Sequence, residues 1–142
     1  LAGRRINDQM GVHVAQTLIK KLLSKDMGVR GAKVLIMGYT FKENCADTRN
    51  TRVSDIVSEL GSYSVEPTVH DPWVGADRLR SEHGQTATDT LEEGTYDAIV
   101  LAVGHREFIE MGAKKIRNLG KPGAVIFDIK GLFGKTESDL RL

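Results

Sequence analysis

The sequence has 142 residues, 40% of them hydrophobic and 27% charged, with a formal net charge of +1. That is one ordinary domain with enough apolar material for a core, and its charge balance excludes a general attraction to nucleic acid or to an anionic membrane surface. A single cysteine excludes an internal disulfide, and no apolar run reaches bilayer-spanning length, so a cytoplasmic protein is expected.

Ile6, Met10, Val14, Leu18 and Leu22 recur every four residues, and Ala15, Ile19 and Leu23 widen the stripe. The spacing predicts an amphipathic helix to about Lys25 with one apolar face to bury. The chain opens on Leu1 inside the helical stretch LAGRRINDQMG, which gives the expectation of a piece of a longer protein. Gly28 and Gly31 punctuate a turn, read as a junction between a helical segment 1–30 and a compact unit 31–142. Lys33 to Gly38 is a first strand, nearly all apolar as in a strand covered on both faces. Val53, Ile56, Val57 and Leu60 have helical spacing from about Thr51, with Gly61 where a C-terminal cap belongs. Val65 to His70 is a second strand, closed by Asp71-Pro72. Gly75 to His83 is a short helix, and Thr86 to Glu93 is expected to hold a short strand and a turn. Asp97 to Val103 is the clearest strand, Arg106 to about Leu119 a helix, Gly120 to Gly123 a turn, and Ala124 to Asp128 the last strand. The alternation predicts an α/β class: a three-layer α/β/α, Rossmann-like parallel sheet, preceded by a long N-terminal helix.

In open α/β sheets, ligands bind outside the carboxyl ends of the strands. Those ends here carry GYTFKENCADTRNTR (38–52), Asp71-Pro72-Trp73, Gly104-His105-Arg106 and Asp128-Ile129-Lys130. Lys42 and Lys130 thus share one edge of one sheet. A lone lysine is ordinarily a solvated surface group, but two converging ammonium groups suit a diphosphate. Arg49 and Arg52 precede the second helix, within reach of a phosphate or a carboxylate; Asp47 either caps that helix or pairs with Arg49. Cys45 has no base placed to activate it and reads as a small loop filler rather than a nucleophile. His13, His70, His83 and His105 have no metal-site spacing, and no metal is expected. His105 either lines the crevice or is a plain polar loop residue. Asp71 either meets a ribose hydroxyl or begins an Asp-Pro turn. Neither GxGxxG nor GxxxxGK[ST] occurs, so a standard dinucleotide or P-loop grip is not expected.

GYTFKENCADTRNTR, with VHDPW after the second strand and FDIKG after the last, resembles the C-terminal domain of the UDP-glucose/GDP-mannose dehydrogenase family. AGRRIND resembles the end of the long helix that joins that family's two α/β domains. The form NCADTRNTR is most similar to bacterial UDP-N-acetylhexosamine 6-dehydrogenases of the capsule and Vi-antigen type. The resemblance implies an NAD-dependent, two-step oxidation at C6 of a UDP-hexose, such as UDP-GlcNAc or UDP-GalNAc. The alcohol becomes an aldehyde and then, through a cysteine thioester, a carboxylate used in surface polysaccharide. It implies that Phe41 and Lys42 contact the UDP-sugar and that Arg49 reaches NAD. Lys130 would contact substrate where the family often has arginine, keeping the charge without the bidentate fork. It further implies a homodimer or higher assembly. The family's GGxCxxKD motif is absent, and Cys45 does not match its cysteine, so no catalytic residue is expected in this chain. These residues alone would bind and orient without turning over. A free-standing, non-catalytic α/β nucleotide-binding module is the alternative reading.

Overall fold

The structure is a computed structural model that describes residues 2–142, with side chains from Gln9 onward. Helix α1 (Ala2–Ser24) is followed by β1 (Lys33–Met37), α2 (Val53–Ser62), β2 (Glu66–His70), α3 (Ala76–His83), β3 (Tyr96–Leu101), α4 (Arg106–Arg117) and β4 (Gly120–Asp128). A short 3-10 turn at Lys135–Glu137 then leads into β5 (Leu140–Arg141). All pairings are parallel, in the order β2-β1-β3-β4-β5.

The side-chain period of two in a strand builds the layers. Val34 and Ile36 of β1, with Ala98 and Val100 of β3, face a core shared with α1 and α2. The alternate residues Leu35, Met37, Ile99 and Leu101 face Phe108 and Ile116 of α4. Both strand faces are covered, which is why their sequences are nearly unbroken apolar runs. From α1, Val14, Ala15, Leu18 and Leu22 are fully buried in the first core, while Ile6 lies outside the described side chains. Gly11 lets α1 approach α2: a Cβ there would lie 2.7 Å from that of Asp55. Pro67 sits on β2, the edge strand, where its missing N–H leaves no interior ladder bond unmade.

Five local expectations change. Gly61, expected at the C-terminal cap, lies within α2, whose C-terminal cap is Tyr63. The stretch 86–93 contributes one bridge, Ala87 to Val69, and no strand. Gly120–Gly123, expected as a turn, belongs to β4, whose register against β3 slips between Tyr96–Gly120 and Ala98–Val125. Helix α4 is broken at Gly112, where φ is 82° and ψ 157°. Strand β5 lies beyond the last expected element. Its two residues are too few to show periodicity, and Arg141 anchors it by donating from Nη1 to the Phe133 carbonyl (3.0 Å). Among the described residues, no helix is long and apolar enough to cross a membrane.

Candidate functional site

From β1 the chain moves outward to β2, then returns across β1 to β3. The switch point therefore lies between the carboxyl ends of β1 and β3, where a doubly wound sheet opens a crevice. A cleft of about 180 Å³ occupies that position. Thr40, Phe41, Lys42 and Glu43 line it from the β1 loop, Arg52 and Val53 from the start of α2, Ala102 and Val103 from the end of β3, and Lys130 from the turn after β4. Three cationic side chains and one exposed aromatic ring (Phe41, 57% exposed) thus share one small concavity. Larger depressions of about 620 and 420 Å³ lie at the amino-terminal ends of the strands. The first is lined by Arg117 and Lys121 with Gly94, Gly120 and Pro122, the second by Lys33 with Pro67, Thr86 and Thr95, so neither gathers three cations. Charge convergence at the switch point outweighs size in locating a site for an anionic ligand.

The β1 loop is held in place residue by residue. Gly38 turns the chain at φ 100°, and a Cβ there would lie 2.5 Å from that of Val103. Only glycine satisfies both the backbone angle and the close approach. The Gly38 N–H donates to the His70 carbonyl (2.9 Å), and the Phe41 N–H to the Asp47 carbonyl (2.8 Å). Beneath the loop lies Asp71, 1% exposed at the end of β2. Its Oδ2 accepts from the Tyr39 N–H (2.7 Å), the Thr40 N–H (3.2 Å) and His105 Nε2 (2.9 Å); its Oδ1 accepts from the Trp73 N–H (2.8 Å). Burial pushes this carboxyl up, but the His105 and backbone donors outweigh it and hold the group below its ordinary value. On the far side, the buried Asp128 accepts from the Leu132 and Phe133 N–H groups, both at 3.0 Å. Those bonds close the turn that presents Lys130.

The structure brings Phe41, Lys42 and Lys130 together. Arg49 does not line the cleft; it is 85% exposed and forks onto Asp47, with Nε to Oδ1 and Nη2 to Oδ2, both at 3.0 Å. That pairing, rather than a helix cap, is the role Asp47 takes, and it holds the Asp47 carboxyl down to about 2. Arg52 lines the cleft in its place. Cys45 is half-buried, and its Sγ accepts from the Asp47 N–H (3.3 Å). His105 neither lines the cleft nor sits on the loop surface: it is fully buried against Asp71, with Trp73 stacked 6.0 Å away. Asp71 directly follows β2 and His105 lies four residues beyond the end of β3, positions that carry no local sign of burial.

Residues 35–135 match the model of the UDP-glucose/GDP-mannose dehydrogenase family, UDP binding domain. The chain belongs to the UDP-glucose/GDP-mannose dehydrogenase family. The chain is 52% identical to the UDP-N-acetyl-D-glucosamine 6-dehydrogenase of Pseudomonas aeruginosa, over 100% of this chain and 34% of that protein. It is 48% identical to the enzyme of the same description from Salmonella typhi, over 100% of this chain and 33% of the relative. The chain therefore spans about a third of the length of the curated relatives it matches. The crystal structure of an NDP-N-acetyl-D-galactosaminuronic acid dehydrogenase from Methanosarcina mazei superimposes with a TM-score of 0.81 at 26% identity, covering 94% of this chain and 28% of that one. The UDP binding domain thus has a three-layer α/β architecture shared with dehydrogenases of nucleotide sugars.

Proposed function

We propose that the cleft at the β1/β3 switch point is a UDP-sugar site, and that this chain is the substrate-binding part of an NAD-dependent UDP-sugar 6-dehydrogenase. The observation that carries the reading is the convergence of Lys42, Arg52 and Lys130 on one cleft beside the exposed Phe41. A diphosphate leaving water needs fixed positive charge near each phosphate, and two ammonium groups and a guanidinium supply it. Phe41 offers an apolar face to the uracil or the sugar ring. In the same reading Arg49, exposed on the β1 loop, meets NAD held by residues outside this chain. An exposed ion pair exchanges easily, so Asp47 does not bar that role.

In this reading the chain binds and orients, bringing the sugar C6 hydroxyl to a nicotinamide and a cysteine contributed from outside these residues. NAD accepts hydride in the two oxidations when it is bound. The substrate we favour is UDP-GlcNAc or UDP-GalNAc, and the product a uronic acid for surface polysaccharide made in the cytoplasm. Residues 1–30 are read as the end of a helix connecting two domains, and the whole protein as a homodimer or larger assembly.

Calorimetric titration with UDP, with ADP and NAD as controls, tests the site. The expected result is binding of UDP that is lost in Lys42→Ala. Equal binding of ADP and UDP, or UDP binding insensitive to Lys42, would remove the assignment.

A further inference from the structure

We propose that His105 is a positioning residue whose two ring nitrogens hold the loop carrying Lys42 from both sides; the inference rests on the UDP-sugar reading of the cleft. His105 Nδ1 accepts the Asn44 N–H at 3.0 Å. An atom that accepts an N–H carries no proton, so the hydrogen-bond network assigns the ring proton to Nε2. That Nε2–H donates to Asp71 Oδ2 at 2.9 Å and lies 3.2 Å from Thr40 Oγ1. Thr40 Oγ1 in turn donates to the Lys42 carbonyl at 2.8 Å. The loop is thus pinned at Thr40 and at Asn44, with Lys42 at the apex between them. Asn44 has a left-handed backbone, φ 56°, and its Oδ1 accepts the Arg106 N–H at 2.8 Å. Its conformation is therefore set by two groups from the β3 loop. A histidine that merely filled space would spread its contacts over the core. This one directs both nitrogens to the loop and to the carboxylate that also binds that loop, while Trp73 and Phe108 flank its ring at 6.0 and 5.5 Å.

Two amide substitutions separate the halves of the clamp. Glutamine places its amide where Nε2 lies and keeps the donor to Asp71; asparagine places its amide where Nδ1 lies and keeps an acceptor for Asn44. His105→Gln is expected to speed amide exchange at Asn44 by about tenfold and to weaken UDP binding by about tenfold. His105→Asn is expected to leave amide exchange at Asn44 near wild type, because its acceptor is kept, while loss of the donor to Asp71 and Thr40 weakens UDP binding by about tenfold. A folded His105→Gln with wild-type exchange and affinity overturns the proposal, as does wild-type UDP affinity in both variants. Failure of wild type to bind UDP would instead sink the reading of the cleft, and the exchange rates at Asn44 would still decide the clamp.

Discussion

At the scale of single residues, the cleft depends on a few charges whose roles differ. Lys42→Ala removes a charged donor without disturbing those bonds shaping the loop that run through backbone groups and the side chains of Thr40, Asn44, Cys45, Asp47, Asp71 and His105. UDP affinity is expected to fall by about 1.5–3 kcal/mol with little change in melting temperature; calorimetry reads the first and a thermal scan the second. Cys45→Ser keeps an acceptor for the Asp47 N–H, so the loop should hold. In a protein spanning the relatives' length, turnover is expected to stay within severalfold of wild type, and a loss of several orders of magnitude would make Cys45 the nucleophile. The candidate residues Phe41, Lys42 and Lys130 were legible because each follows an apolar strand at the sheet's carboxyl edge. Arg52 was named with Arg49 as within reach of a phosphate, but only Asn50 and Thr51 separate these similar arginines, and only the path of the loop shows which one lines the cleft.

At the scale of elements, the β1 loop with Asp71 beneath it, and the turn after β4 closed by Asp128, form the walls of the cleft. Gly38→Ala places a Cβ against Val103 on a backbone that L-residues avoid. A loss of roughly 3 kcal/mol or more is expected by denaturant unfolding. Asp71→Asn leaves one oxygen to serve donors that two now serve, and turns an amide N–H₂ toward a backbone N–H. Its cost is expected at about 3 kcal/mol, on the scale of a broken buried polar network. A smaller loss would show that water or a shifted Trp73 N–H repairs the site. The Gly112 break in α4 could not be read from spacing, because Phe108 and Ile116 continue the apolar stripe on either side of it.

At the scale of the whole molecule, pH dependence follows from Asp71. Its folded value lies below the ordinary carboxylate value of about 3.9, so the unfolded chain binds the proton more readily. The stability it confers is therefore present at neutral pH and is lost as pH falls below about 4 and through its lower folded value. Acid unfolding monitored by circular dichroism should show that loss in wild type, and a flatter profile in Asp71→Asn, which has no such proton to take up. The alternation of strand and helix, and the covering of β1 and β3 on both faces, were determined by the sequence by itself, because apolar runs and helical periodicity are short-range patterns that each segment carries whole. Only the tertiary structure decided that Lys42 meets Lys130 and that Asp71 meets His105 in the dry interior. Those meetings depend on strand order, with β3 pairing beside β1 rather than beside β2, and on partners that lie far along the chain. A polar side chain is buried only where such distant donors and acceptors arrive together, and no local pattern announces their arrival.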